Sequence, residues 1–262
     1  MSHTSLRRSF ALQRRVIGAL LLREVITRYG RHNLGFVWLF VEPMLFTLGI
    51  TVLWTVVNAT HGTTLSIAAF ALTGYSSILL WRNCSNRIVN AIAVNHSLLY
   101  HRNVKALDVF MARLILEIGG ATMSLIVLTV VFSAVGLMSL PVDLWTVIVG
   151  WGLLAWFAVA LSLIVGAASE RSELVDRVWH IVTYLMFPLS GAGFMVDWLP
   201  KVARELVYWV PMVHGTEMIR HGFFGSAVRT HEDPLYMAAV NAVMTLFGLA
   251  MVLEAGRRVE VE

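Results

Sequence analysis

Five stretches of the chain stay apolar for the roughly 20 residues that a helix needs to cross a hydrocarbon layer: 34–57, 109–136, 144–167, 178–196 and 235–254. A sixth begins near Leu65 and runs into ILLWRNCSNRIVNAI (78–92), where Arg82 and Arg87 sit among three asparagines. Projected at 100° per residue, Tyr75, Ser76, Arg82, Asn83, Asn86, Arg87 and Asn90 share a sector about 140° wide, and Ile78, Trp81, Ile88, Val89 and Ile92 lie opposite. No proline or glycine falls between Tyr75 and Leu99, so the pattern predicts one helix continuing to about Asn95. Six spans put both termini on the same side.

Two further segments are helical in pattern but too polar or too broken to span. In 6–29, Leu6, Phe10, Ile17, Leu20 and Leu21 recur at helical spacing between arginines, which predicts a basic amphipathic helix on a membrane surface. Its stripe is imperfect, because Arg14 and Arg28 fall on or near the apolar side. The stretch 197–232 is too apolar for an exposed loop, and Pro200 and Pro211 each suit the first turn of a short helix. The expectation is an all-α integral membrane domain over 1–262. It consists of an interface helix in 1–33, six spans within 34–254 with two short re-entrant helices between spans five and six, and a tail in 255–262.

Composition agrees. The 262 residues are 58% hydrophobic and only 14% charged, against about 25% charged in soluble domains, and mean hydropathy is +0.73. The single cysteine, Cys84, excludes an internal disulfide, and no Cys/His spacing suggests a metal. No cofactor is expected on this chain. The first apolar run lacks a small-residue cleavage site, so no cleaved signal is expected. Charge sets the orientation. With both termini in the cytoplasm, 16 of the 20 Lys and Arg lie on the cytoplasmic side, and only Lys201, Arg204, Arg220 and Arg229 face outward.

An arginine facing lipid at a helix centre costs roughly 2.5–3.5 kcal/mol on insertion scales, so the polar sector must face protein or water. Arg82 and Arg87 have two readings: pairing with Glu42 and Glu117, or contact with an anionic passenger. A transporter also needs power. The chain has no GxxxxGK[ST] loop, so the energy comes from a partner unless Glu42 or Glu117 couples an ion.

The stretch RYGRHNLGFVWLFVEP (28–43) closely resembles the start of KpsM-type capsular polysaccharide export permeases, which are type-2 ABC exporters. The outer segment 187–225 is similar to the broader type-2 pattern at Pro188, Pro200, Pro211, Glu217, Arg220 and Gly225. The resemblance implies a homodimeric permease of the bacterial inner membrane carrying two copies of a separate ATPase, which would hold the ATP and Mg. It implies a coupling helix seated on that ATPase, matched here by NHSLLYHRNVKALD (95–108), with His96, Leu98, Leu99, Tyr100, Arg102 and Lys105 as docking candidates. It further implies a periplasmic copolymerase, an outer-membrane channel and a lipid-anchored acidic polysaccharide as cargo, with no nucleic acid. Aromatic rings stack on sugars, so Trp38, Phe40 and Tyr75 join Arg82, Asn83, Asn86, Arg87 and Asn90 as channel candidates, whereas Trp81 is assigned to packing.

Alternatives remain. The cargo could be an O-antigen, a teichoic acid or a small molecule. An intramembrane serine hydrolase would use Ser190 with His180 or His214, although serine beside glycine in a membrane helix ordinarily serves close packing. An ion-driven transporter would need inverted halves, and none is visible.

Overall fold

The computed structural model describes residues 6–29, 33–57, 65–99 and 104–259, and every regular element among them is helical. In chain order these are α1 (Leu6–Tyr29), α2 (Asn33–Val56), α3 (Ile67–Ile88), α4 (Ala91–Val94), α5 (His96–Leu99), α6 (Ala106–Ala134), α7 (Leu144–Ser169), α8 (Glu173–Met186), α9 (Lys201–Val207), α10 (Pro211–Phe224) and α11 (Pro234–Val259). Short polar side chains start several of them. Ser66 caps α3 by accepting from the Ala69 amide, Asp143 caps α7 through Trp145 and Thr146, and Ser172 caps α8 through Leu174.

Four helices are long and apolar enough to cross a membrane: Val37–Val56 within α2, all of α6, all of α7, and Pro234–Arg257 within α11. The expected second and fifth spans are less simple. Helix α3 carries Arg82 and Arg87 in its last two turns. Helix α8 begins earlier than the apolar run at 178 and ends at Met186. Beyond it, Pro188 has no amide to extend the ladder, so the chain tightens into i→i−3 bonds at Leu189 and Ser190, then turns at Gly191, whose φ is 78°.

Helix α3 does not continue to Asn95. It stops at Ile88, and Asn90 adopts a left-handed φ of 55°. Asparagine tolerates this region better than other non-glycine residues, but the decisive cause is tertiary. The Asn90 amide donates to Ser169 Oγ at 3.2 Å, and the amides of Ile92 and Ala93 donate to Glu170 Oε1 at 3.0 and 3.3 Å. Partners almost 80 positions away replace the hydrogen bonds a continuous helix would have made.

Helix α7 is the centre of the bundle and packs on α3, α10 and α11. It runs in the same direction as α11, since Asn241 Nδ2 donates to the Leu153 carbonyl and Trp156 Nε1 to Thr245 Oγ1, each at 2.9 Å. Close approach at its lower end depends on Gly166, where a Cβ would lie 2.7 Å from the Phe110 ring and 3.0 Å from Ile88. Such small-residue contacts let helices associate where lipid removes the usual hydrophobic drive.

Two short helices form where the prolines predict them, with Pro200 at the N-cap position of α9 and Pro211 opening α10. Helix α10 is buried along most of its length and runs antiparallel to α7, with Gly222 against Asp143 and Val147, Ile219 against Gly150 and Gly215 against Leu154. Helix α1 is fastened to the bundle mainly by polar contacts: Gln13 Nε2 to Asp108 Oδ1 at 3.1 Å, Arg23 Nη1 to Asn95 Oδ1 at 2.7 Å, and Arg28 to Glu117. Of its apolar stripe Leu20 packs on the core, whereas Phe10 is exposed.

Candidate functional site

The polar sector of α3 lies between α2 and α8. Arg82 lies against Tyr184 of α8 and Arg87 near Glu42 of α2, and two turns before Arg82 the buried Tyr75 packs between Phe46 on α2, with ring centres 5.9 Å apart, and Phe187 just past α8, at 5.6 Å. Five residues on a helix turn through about 140°, so the two arginines diverge. Arg82 faces α8, its guanidinium carbon 4.3 Å from the centre of the Tyr184 ring. Arg87 faces the other way, 3.8 Å from Glu42 and 3.6 Å from Glu117. Among the described residues Arg82 forms no salt bridge. Between them Asn83 and Asn86 are half-buried, and Asn86 Oδ1 is enclosed with no hydrogen-bond partner among the described residues.

Other sequence candidates separate from this group. Tyr75, only 5% exposed, belongs to the core together with Trp81 at 1%. Asn90 lies beyond the helix end and is not part of the sector. Trp38 is open to the surroundings at 56% exposure, and Phe40 is half-buried.

Both carboxylates named from the sequence do approach Arg87, but they belong to a larger cluster. Glu117, 8% exposed, also pairs with Arg28 of α1, and Glu24 bridges Arg28 at 2.9 Å and Arg113 at 3.2 Å. Arg113 donates to the Arg87 carbonyl at 2.9 Å. The Arg87 contacts are the long and open ones, with side chains 46% exposed for Arg87 and 59% for Glu42. Glu24, Arg28 and Arg113 escaped the sequence reading as partners. The available signal was the position of Arg28 on the apolar side of its helix.

On α10, Arg220 is fully buried and ties three segments together. Its guanidinium donates to the carbonyls of Gly191 at 2.7 Å, Ala192 at 2.8 Å and Phe194, and lies 4.0 Å over the Phe70 ring of α3. Glu217, one turn earlier and 3.9 Å away, accepts from the amides of Val196 and His231. Beside it, the hydrogen bond from His231 holds the Asp197 carboxyl below the usual range, with Arg204 adding to the effect. The serine and histidine considered as a nucleophilic pair are engaged elsewhere. Ser190 Oγ donates to the Phe187 carbonyl at 2.7 Å, while the ring nitrogens of His214 meet the Tyr208 carbonyl and the Asp233 amide, each at 2.9 Å.

Of the coupling candidates, His96, Leu98 and Leu99 lie on α5, half-buried, and Lys105 occupies the N-cap position of α6, its amide donating to Asp108 Oδ2 at 3.0 Å. Tyr100 and Arg102 lie outside the described residues. Just upstream of this segment, Ser169 at the end of α7 and the following Glu170 hold the amides of Asn90, Ile92 and Ala93, and burial pushes the Glu170 carboxyl upward against the pull of the two amides it accepts.

Four helices long and apolar enough to cross a membrane, a charged α3, and a buried Glu217–Arg220 staple beside two proline-started helices fit a membrane component of a transporter. The chain belongs to the ABC-2 type transporter family, whose model matches residues 15–224. It is similar to the capsule polysaccharide export inner-membrane protein CtrC of Neisseria meningitidis serogroup B, 50% identical over 98% of this chain and 97% of that one. A second relative is the capsule polysaccharide export inner-membrane protein BexB of Haemophilus influenzae, 42% identical over the same shares. The polysialic acid transport protein KpsM of Escherichia coli is more distant, 26% identical over 94% of this chain and 95% of its own. The resemblance drawn from residues 28–43 and 187–225 is borne out.

Proposed function

We propose that this chain is the permease of an ATP-driven exporter that moves an acidic, lipid-anchored capsular polysaccharide from cytoplasm to periplasm. It acts in the inner membrane as a homodimer, with six spans, both termini cytoplasmic, and α9 and α10 re-entering the outer leaflet. Helices α3 and α8, short by the apolar criterion, complete the six. Power comes from two ATPase subunits docked on the segment 95–108. A periplasmic copolymerase and an outer-membrane channel receive the polymer.

The observation that carries this reading is Arg82. A guanidinium inside a span demands a counter-charge or water, yet among the described residues Arg82 meets only an exposed ring and stands beside two asparagines in a sector flanked by α2 and α8. That sector offers an anionic glycan exchangeable hydrogen bonds without one rigid ion pair. Each protomer would present it to a passage at the dimer interface, with Trp38 and Phe40 of α2 as stacking surfaces. Arg87 has acidic neighbours and serves the same passage at its cytoplasmic rim.

Reconstitution with the ATPase tests the proposal. Arg82→Gln with Arg87→Gln impairs export and the glycan's stimulation of ATP hydrolysis while leaving assembly intact. Normal export by the double variant overturns the cargo role of the arginines. Export of a neutral polymer in preference to an acidic one overturns the substrate class.

A further inference from the structure

The turn between α7 and α8 holds by its backbone α4, the short helix that leads directly into the ATPase-docking segment 95–108. Helix α4 starts after the left-handed Asn90, which provides no side-chain cap, so its first amides would be orphaned. Glu170 supplies the missing acceptor to Ile92 and Ala93 at 3.0 and 3.3 Å, and Ser169 Oγ takes the Asn90 amide. From this arrangement we infer that Glu170 is a positioning residue that takes up movement of the docking segment through the adjoining α4 and transmits it to α8, and through α8 to the Arg82 site. The inference rests on the function proposed above and adds the route by which the ATPase reaches the passage.

Relative stiffness decides where such movement goes. At the lower ends of α3 and α7, Gly166 is packed against Phe110 and Ile88 so closely that even a methyl group has no room, and this joint resists sliding. Helix α4, in contrast, joins α3 through the two non-helical residues Val89 and Asn90, the second of them left-handed, and this link gives the chain a hinge. On the other side of Glu170 stands α8, of whose 14 residues only Thr183 is buried. A displacement that cannot deform the α3–α7 joint is therefore taken up by α8. Arg171 confines the motion further by tying the same turn to Glu254 of α11 at 2.5 Å. At the far end of α8, Tyr184 covers the Arg82 guanidinium, so rotation of α8 uncovers or covers the charge that meets cargo. Ser172, which caps α8, makes the link from turn to helix direct.

The test compares Glu170→Ala with Glu170→Gln in the complete complex with its ATPase, reading export and ATP hydrolysis together with backbone hydrogen exchange of α8, with and without ATP. Gln keeps an oxygen that both amides can use, and Ala does not. Glu170→Ala hydrolyses ATP at near the wild-type basal rate, while export per ATP falls by about tenfold, the scale expected for losing hydrogen bonds to a charged acceptor. Glu170→Gln stays within about threefold of wild type. ATP alters exchange across α8 in the wild type and in Glu170→Gln but not in Glu170→Ala. Unchanged export per ATP in Glu170→Ala, or an ATP-dependent α8 signal that survives it, overturns the inference. The exchange readout needs no cargo. A complex that exports no capsular polymer but shows the α8 response lost only in Glu170→Ala therefore sinks the proposed function and keeps the coupling route.

Discussion

Arg82 and Tyr184 face each other across the gap between α3 and α8, the guanidinium carbon 4.3 Å from the ring centre. The contact joins a helix anchored in the core to one that is almost entirely unburied. It holds the charge without neutralising it, which a carboxylate would do. A cation over a ring at an exposed site is worth about 0.5–1 kcal/mol, small enough for an anionic sugar to displace.

Tyr184→Phe preserves the ring face and leaves export within about twofold of wild type, whereas Tyr184→Ala changes the concentration of acidic glycan giving half-maximal ATPase stimulation by roughly two- to fivefold. Titrating purified complexes with the polymer measures both. Equal behaviour of the two variants removes the ring from the site.

The Arg220–Glu217 staple makes a stability prediction. Removing one partner of a buried ion pair costs roughly 3–5 kcal/mol, because the other charge is left stranded. Arg220→Ala strands Glu217 and three carbonyls, so it lowers the yield of folded permease and its melting temperature in detergent. Arg220→Lys keeps the charge, but its single ammonium cannot reproduce the planar fork that meets Gly191, Ala192 and Phe194, so it rescues only in part. Replacing both members, Arg220→Met with Glu217→Gln, is less harmful than Arg220→Ala alone.

How much of this was legible follows the range of the forces involved. Pro200 and Pro211 act on their own backbone, and both helices start where the sequence places them. The long apolar runs of α2, α6, α7 and α11 needed nothing beyond their own composition. Asn90 is the contrary case. Nothing between Tyr75 and Leu99 breaks a helix locally, and the break is made by Ser169 and Glu170, which only the folded bundle brings near. The arginine sector was half legible: periodicity gathered the right residues on one helix side, but it could not show that α8 claims one arginine and Glu42 and Glu117 the other. Tyr75 entered the sector by angle alone, and the rings of Phe46, Trp54 and Phe187 bury it.

Gly74 faces the same staple from α3. A Cβ there would lie 2.2 Å from the Ala192 carbonyl oxygen and 2.9 Å from an Arg220 nitrogen. Gly74→Ala therefore displaces the 190–193 turn, at a cost of about 1–3 kcal/mol typical of overpacking. Because both changes disturb one contact, Gly74→Ala and Arg220→Ala are less than additive in thermal melts, and full additivity would show that the close approach is not shared.

The last prediction concerns α1, which the sequence presents as a membrane-surface helix and the structure fastens to the bundle through charge. Glu117 is nearly enclosed and relies on Arg28 for its close partner, with Arg87 further off at 3.6 Å. Arg28→Ala leaves Glu117 with that long contact alone, and Glu117→Ala leaves Arg28 with Glu24 at 2.9 Å. The first loss is therefore the larger, approaching the roughly 3 kcal/mol lower bound for a broken buried pair, while the second is cushioned. A double-mutant cycle on melting temperature should return an interaction of about 1–3 kcal/mol, as for residues in one salt-bridge network. If α1 instead sits on the membrane without help from the bundle, the cycle returns zero and Arg28→Ala melts like the wild type.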